Sequence, residues 1–327
     1  MAKPAVLVSY VPESAHREKF RHLLSRVAEP VFLPDLPEPS RAAAIERADV
    51  VITWNPAKEF SADEFGLLKT VRLIQLVTAG ADHLPFGLLP GGPLIASNPG
   101  AYAAPMAEHI LGMALALAKR FCTGNARLKA GEFDQKTRNK YLRGLTFGVL
   151  GFGGIGQAAS HLMRALGMKI FALNTSGRTD EPVDFIGTLG QLDLVLKNSD
   201  VLLVSIPLVK STKGLIGARE LGLMKPDAII INVARGAIID ERALYAHLKQ
   251  NPDFGAGIDT WWIEPAMNGE FKVNYPFFDL PNFLGTPHNS SAVPGILTGA
   301  VGMASENVNR FLRDEKIRGV VKREDYV

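Results

Sequence analysis

Length, composition and charge narrow the class of protein before any motif is considered. The chain has 327 residues, enough for two domains of ordinary size, with 47% hydrophobic residues and a net charge of +3 from intermixed acids and bases. It has no basic run interleaved with aromatic residues and no apolar stretch long enough for a signal sequence or a membrane span. We therefore expect a cytoplasmic protein with neither nucleic-acid nor membrane partners.

The amino-terminal part of the chain alternates between strand-like and helical patterns. Short apolar runs predict strands at 6–9, 50–53, 73–77 and 94–96. Such alternation is typical of a small parallel sheet with helices packed on it. Residues 101–120 then form a long helix-favouring stretch, which we expect to bridge two domains.

The second half of the chain predicts a larger sheet of the same kind. Its strand-like runs lie at 147–150, 169–173, 201–206, 228–233 and 254–258, with helical patterns between them. This alternation predicts a doubly wound parallel sheet, whose ligand lies beyond the carboxyl ends of the strands. A helix at 296–312 is expected to return to the first domain. The predicted fold is therefore α/β, with a substrate domain of residues 1–97 and 292–327 and a dinucleotide-binding domain of residues 98–291.

Three glycines stand between a predicted strand and an amphipathic helix. Gly151 would permit a tight turn, Gly153 would let the backbone approach a pyrophosphate, and Gly156 would let the helix pack closely on the strand. Gly154 and Ile155 open the helix, where free N–H groups favour an anion. The alternative is an ordinary tight turn. The flanking strand and helix favour a dinucleotide site.

The end of the next strand indicates which dinucleotide is preferred. An acid commonly stands there to accept the ribose hydroxyls of NAD, but this chain has Asn174. Thr175, Ser176 and Arg178 follow and offer hydroxyls and a guanidinium to a ribose 2′-phosphate. The alternative is that Arg178 projects into solvent or pairs with the acids after it. We predict NADP(H) as the preferred cofactor, with NAD(H) as the alternative.

Three residues in separate motifs have side chains that could together bind an anion and donate a proton. Arg235 follows a buried strand and can grip a carboxylate, although it would equally suit a structural ion pair. His288 follows a short apolar strand, and Glu264 follows another strand end. A glutamate bonded to an imidazole fixes its tautomer and favours its protonated form. Together they predict a proton donor beside an anion-binding arginine.

Five further residues are interpreted as structural. The single cysteine excludes an intramolecular disulfide and a cysteine-rich zinc site, and no metal site is predicted. The cysteine fits a small packing residue, two histidines lie within helices, and two tryptophans fit core packing better than a pocket wall. These residues are Cys122, His109, His161, Trp261 and Trp262.

From about residue 73 to residue 288, the chain resembles the D-isomer-specific 2-hydroxyacid dehydrogenase family. The motifs GFGGIG, NVARGAIIDERAL, DTWWIEP and TPHNSS occur in the family's order with suitable spacing. The stretches PMAEHILGMALALAKR and VTAGADHL resemble further family elements. The resemblance implies a Rossmann cofactor domain, a smaller flavodoxin-like substrate domain, an active site in the cleft between them, and a homodimer.

The resemblance also implies roles for individual residues. Arg235 would bind and polarise a 2-oxo acid, His288 would exchange a proton with the C2 oxygen, and Glu264 would support His288. Backbone N–H groups of one loop would hold the substrate carboxylate, and that loop contains Ala79, Gly80 and Ala81. Asp259 would lie near the nicotinamide, and Met106 stands where many relatives carry valine. Other strand-end residues that would line the cofactor are Pro207, Thr212, Val233 and Ala234.

These features predict a reductase of small 2-oxo acids such as glyoxylate or hydroxypyruvate. Formate-type relatives are disfavoured because their histidine pairs with glutamine, whereas this chain has Glu264. The alternative is a dinucleotide-sensing corepressor that acts through protein partners. Such proteins carry extra tails, whereas here only a short charged segment, 322–325, is seen near the end. We therefore expect the enzyme.

Overall fold

The computed structural model describes residues 3–326 and divides them into two compact units. One unit comprises residues 3–102 and 293–326, and the other comprises residues 103–292. The first boundary lies after Tyr102 rather than at the predicted residue 97. The Asn98 side chain donates hydrogen bonds to the carbonyls of Val77 (3.1 Å) and Ala300 (2.9 Å), and the Tyr102 hydroxyl donates to Val77 (3.1 Å). These bonds keep the intervening loop in the first unit.

Both units are built from short strands and helices that alternate along the chain. Within residues 3–326 the strands are β1 (Ala5–Val8), β2 (Glu29–Phe32), β3 (Val50–Thr53), β4 (Leu73–Leu76), β5 (Leu94–Ala96), β6 (Thr146–Leu150), β7 (Lys169–Leu173), β8 (Phe185–Gly187), β9 (Val201–Val204), β10 (Ile229–Asn232), β11 (Gly255–Ile258) and β12 (Phe283–Gly285). The helices are α1 (Ser14–Leu24), α2 (Glu38–Glu46), α3 (Pro56–Glu59), α4 (Ala103–Ala118), α5 (Phe121–Lys129), α6 (Gly154–Ala165), α7 (Leu192–Asn198), α8 (Ala218–Leu223), α9 (Glu241–Gln250), α10 (Pro265–Asn268) and α11 (Ile296–Leu312).

The first unit contains a parallel sheet with strand order β2-β1-β3-β4-β5. Side chains alternate across this sheet, so that Val6 and Val8 pack in the core on one face and Leu7 packs in the core on the other. Helix α11 packs against α1 and β4, so the end of the described chain completes this unit. Strand β2 was not predicted, because it contains Pro30. An edge strand tolerates a proline.

The second unit contains a parallel sheet with strand order β12-β11-β10-β9-β6-β7-β8. It includes the five predicted strands, the short strand before His288 and one that was not predicted, the three-residue edge strand β8. The strand order reverses between β6 and β9, which is where such sheets bind ligands. The doubly wound α/β prediction is therefore confirmed.

Helix α4 belongs to the second unit, where it packs against α6 and across β10 and β11. Pro105 stands in its first turn, where a missing N–H costs no hydrogen bond. No helix within residues 3–326 has both the length and the apolar character needed to cross a membrane.

The packing interpretation of Cys122 is wrong. Cys122 is exposed on α5, and none of the residues of that helix is buried. The apolar neighbours that suggested packing, including Phe121, are themselves exposed. Helix α5 therefore adds no side chain to the core of the second unit.

Candidate active site

The turn between β6 and α6 has the backbone geometry of a phosphate cradle. Gly151 has φ +103°, and a Cβ there would lie 2.7 Å from the backbone of the loop after β9. A Cβ on Gly156 would lie 2.4 Å from the Gly151 carbonyl oxygen. A Cβ on Gly153, in contrast, would meet no atom of residues 3–326 within 4 Å apart from Gly153 itself and its chain neighbours. Gly154 and Ile155 begin α6, whose first N–H groups have no partner within the helix. The turn therefore fits the pyrophosphate of a dinucleotide.

The loop after β7 is organised by Asn174. Its Oδ1 accepts hydrogen bonds from the N–H groups of Ser176 (3.1 Å) and Gly177 (2.7 Å), and its Nδ2 donates to the Arg178 carbonyl (2.8 Å). Arg178 is exposed and forms no ion pair within residues 3–326, while Glu181 pairs with a histidine of α6 at 2.8 Å. The loop therefore leaves the Arg178 guanidinium accessible to an anion.

Most of the other predicted cofactor residues also lie at strand ends of the second unit. The Thr212 hydroxyl donates to the Pro207 carbonyl (2.7 Å) and so closes the loop after β9. Val233 and Ala234 follow β10 directly, and both are buried. Met106 is buried on α4 instead. Their contacts with a cofactor remain predictions.

Glu264 and His288 are in hydrogen-bond contact. The His288 Nδ1 lies 2.7 Å from Glu264 Oε2, and the backbone N–H of Trp261 donates to Glu264 Oε1 at 2.6 Å. The Glu264 side chain is 10% exposed and the His288 side chain 41% exposed. The imidazole is therefore accessible, while the carboxylate that holds it is nearly enclosed.

The charge state of Glu264 fixes which ring atom of His288 can react. Burial raises the pKa of the Glu264 carboxyl. Three effects lower it, namely the hydrogen bond from His288, the hydrogen bond from the Trp261 N–H and the positive charge of Arg235. They outweigh burial, so the pKa lies below its ordinary value. An ionised carboxylate only accepts hydrogen bonds, so His288 donates from Nδ1. The ring atom left to exchange a proton with a substrate is Nε2.

The loop after β10 holds Arg235 close to the loop that carries Glu264. A Cβ on Gly236 would lie 2.3 Å from the Trp261 carbonyl carbon, so any side chain at this position would collide with that backbone. The Trp262 indole N–H donates to the Ile239 carbonyl at 2.7 Å and ties the same two loops together. Arg235 therefore contributes its charge to Glu264 from a fixed neighbouring loop.

Sequence reasoning missed several contacts that hold the histidine segment. The Trp261 indole N–H donates to the Thr286 carbonyl at 2.8 Å, and the Thr286 hydroxyl donates to Asp259 at 2.6 Å. His109, interpreted as structural, places its Nε2 3.1 Å from that hydroxyl. Both tryptophans pack on the core as expected. The TPHNSS motif was a signal for Thr286, but nothing in the sequence pointed to His109.

The predicted carboxylate-binding loop lies in the first unit, directly after β4. Within residues 3–326, none of the backbone N–H groups of Ala79, Gly80 and Ala81 donates a hydrogen bond. The Thr78 hydroxyl donates to the Gly80 carbonyl at 2.9 Å and shapes the loop. Successive N–H groups without an internal partner suit an anion. Arg235, Glu264 and His288, in contrast, all lie in the second unit.

Comparisons with known proteins agree with this site. The family model "D-isomer specific 2-hydroxyacid dehydrogenase, NAD binding domain" matches residues 111–290. A hydroxypyruvate reductase from Thermotoga maritima is 30% identical, with 85% of this chain and 90% of that protein covered. A glyoxylate reductase from Thermococcus litoralis is 32% identical over 68% of each chain.

The fold is also similar to that of a solved structure. A candidate formate dehydrogenase from Pyrobaculum aerophilum superposes with a TM-score of 0.80 at 26% identity, covering 98% of this chain and 99% of that one. The family model covers more than half of the chain, and the first relative matches most of its length. The chain therefore belongs to the D-isomer specific 2-hydroxyacid dehydrogenases, NAD(P)-dependent oxidoreductases that act on CH–OH groups.

Proposed function

We propose that the protein reduces small 2-oxo acids, of the glyoxylate or hydroxypyruvate type, to D-2-hydroxy acids with NADPH. The observation that carries this proposal is the Glu264–His288 pair, 2.7 Å apart, with the charge of Arg235 acting on the same carboxylate. Two of the relatives are named hydroxypyruvate reductase and glyoxylate reductase, which supports this substrate class.

Each residue of the site has a defined task in this reduction. Arg235 binds the substrate carboxylate and polarises the adjacent carbonyl, with the N–H groups of residues 79–81 as a second carboxylate contact. When bound, the nicotinamide supplies the hydride to C2. His288 gives its Nε2 proton to the C2 oxygen, and Glu264 remains ionised and stabilises the protonated ring before transfer. In the reverse direction, the neutral ring accepts that proton.

The preference for NADPH rests on the loop after β7. Asn174 brings no negative charge to the predicted ribose position, and its side chain is engaged within its own loop. A 2′-phosphate would meet the unpaired Arg178 guanidinium rather than a carboxylate. In an Asn174→Asp variant, kcat/KM for NADPH should fall and that for NADH should rise. Asn198→Asp, on the exposed surface of α7, is the matched control. A strong wild-type preference for NADH would contradict the proposal.

Formate oxidation is the competing reaction, because one similar structure is described as a candidate formate dehydrogenase. The histidine of this chain pairs with a carboxylate, which stabilises the protonated ring that carbonyl reduction requires. Formate oxidation needs no proton donor to a carbonyl oxygen. The pair therefore favours 2-oxo acids.

The decisive experiment follows NADPH and NADH oxidation with purified protein across glyoxylate, hydroxypyruvate, pyruvate and phenylpyruvate, with formate and NAD(P)⁺ as a separate arm. His288→Ala and Arg235→Ala should each lose on the order of 10²-fold or more in kcat/KM. Formate oxidation without 2-oxo acid reduction would overturn the substrate assignment. Tight dinucleotide binding without turnover would favour a sensing protein.

We also propose a homodimer, supported by exposed apolar residues in the segment 121–141. The exposed fractions are 61% for Phe121, 58% for Leu128, 78% for Phe133 and 69% for Tyr141. Large exposed apolar side chains gathered in one segment are typical of a protein–protein surface. Light scattering should give the mass of two chains, and Phe133→Asp should shift it toward one. Val11→Asp is the control, and an unchanged mass for Phe133→Asp would contradict the assigned surface.

A further inference from the structure

We propose that His109 and Thr286 are positioning residues for the proton donor His288, acting through the buried carboxylate of Asp259. The inference rests on the proposed role of His288 and gives tasks to two residues that had none. All four residues lie in the second unit.

Asp259 fastens the histidine segment to the end of β11. Its side chain is fully buried, and its oxygens accept hydrogen bonds from the Thr286 hydroxyl (2.6 Å) and the N–H groups of Asn289 (3.1 Å) and Ser290 (3.3 Å). These partners lie on both sides of His288 in the chain. A shift of the Asp259 carboxylate would therefore move the segment that presents the imidazole.

His109 completes the donor chain that holds this carboxylate. Its Nε2 lies 3.1 Å from Thr286 Oγ1 and 3.8 Å from Asp259 Oδ1. The Thr286 hydroxyl gives its only hydrogen to Asp259, so toward His109 it can only accept. His109 therefore donates from Nε2, and the bonds run from His109 to Thr286 to Asp259. His109 stands on α4, which packs on β10, β11 and β12. The first donor of these hydrogen bonds is therefore held by a helix that is packed on the sheet.

The backbone of His288 shows why the segment needs this support. Its φ of +51° lies in the left-handed region, which is strained for a residue other than glycine. The Thr286 carbonyl accepts from the His288 N–H (3.0 Å) and from the Trp261 indole (2.8 Å). Thr286 thus holds the segment through both its carbonyl and its hydroxyl. Without the hydroxyl, the segment is free to relax and the ring to leave its aligned position.

The test compares variants that remove or keep the donors. Thr286→Val and His109→Phe should each lower kcat by about 10-fold to 10²-fold, since misplacement of a reacting group by about 1 Å can cost 10²-fold. Thr286→Ser, which keeps the hydroxyl, should restore kcat to near the wild-type value. The KM for the oxo acid and the NADPH dissociation constant from fluorescence titration should change little.

Two controls match these substitutions. Thr260→Val removes a buried hydroxyl that has no hydrogen-bond partner within residues 3–326, beside Asp259 in the chain. His161→Phe replaces an exposed histidine on α6. Both should keep the wild-type kcat.

Three results would overturn the inference. These are an unchanged kcat in Thr286→Val and His109→Phe, equal losses in Thr286→Ser and Thr286→Val, and a rise in the NADPH dissociation constant that accounts for the lost rate. A His288→Ala variant with full activity would instead contradict the proposed role of His288 itself. The two failures are therefore distinguishable in one set of assays.

Discussion

Glu59 in the first unit and Glu264 in the second each belong to a turn of helix after a strand of a parallel sheet. Both helices have four residues and start with a proline, but Glu59 ends its helix, whereas Glu264 immediately precedes its own. Each also accepts a hydrogen bond from a tryptophan backbone N–H, at 3.0 Å from Trp54 and 2.6 Å from Trp261. Their settings differ mainly in the remaining partners.

Those partners decide what each carboxylate can do. Glu59 accepts from the hydroxyls of Ser9 (2.6 Å) and Thr53 (2.5 Å) and from the Asn55 N–H, so it joins the ends of β1 and β3. Glu264 accepts instead from the ring of His288, whose second ring nitrogen can also carry a proton. Glu59 therefore joins two strand ends, whereas Glu264 holds a histidine, which under the proposed function makes it a support for proton transfer.

The largest effect should come from Glu264→Gln. The amide keeps one acceptor but removes the charge that stabilises the protonated imidazole, so kcat/KM should fall on the order of 10²-fold or more. The dependence of the rate on pH should change as well, because the ring loses its charged partner. An unaltered rate and pH profile would show that Glu264 has a structural role like that of Glu59.

A smaller effect, of a different kind, should come from Glu59→Gln. The new NH₂ group of this half-buried side chain would face donors, and the loss of hydrogen bonds to a charged acceptor should cost about 1–3 kcal/mol. Each kcal/mol lowers Tm by about 2–4 °C in a domain of this size. Denaturant titration should show the loss, while kcat of the folded protein should stay near the wild-type value. A large loss of kcat with unchanged stability would contradict the structural role of Glu59.

The smallest effect should appear in acid. The folded-state pKa of Glu264 lies below its ordinary value of 4.5, so its ionised form stabilises the fold above that pH. This contribution is lost as the pH falls through the folded-state pKa. The difference in Tm between the wild type and Glu264→Gln should therefore shrink as the pH is lowered below 4.5. A constant difference down to acid unfolding would place the stabilisation elsewhere.

Much of the fold was predictable from local pattern. Strands β3, β5 and β7 and helix α11 have the predicted bounds, because each is a distinct apolar or amphipathic run. Strand β2 was missed because it contains Pro30. Strand β8 was missed although β5 and β12, which are also edge strands of three residues, were predicted.

The site was predictable only where residue type and strand-end position carry the chemistry. The pairing of Glu264 with His288 was predicted from their types, and the two are in contact, while their catalytic roles stay predictions. The His109–Thr286 contact joins residues 177 positions apart, and periodicity within α4 gives no sign of it. Likewise, the sequence shows Gly236 but not the Trp261 backbone that requires a glycine there.

The split of the first unit has a consequence for biosynthesis. Residues 103–292 are contiguous and can complete their core as soon as they have left the ribosome, whereas residues 3–102 must wait for α11. The usual order, in which the amino-terminal domain folds first, is therefore expected to be reversed. Limited proteolysis of ribosome-bound chains in which residue 292 is followed by a linker long enough to span the exit tunnel should find the second unit protected and residues 3–102 still cleavable. The nascent first unit would then depend on protection by other means until α11 emerges.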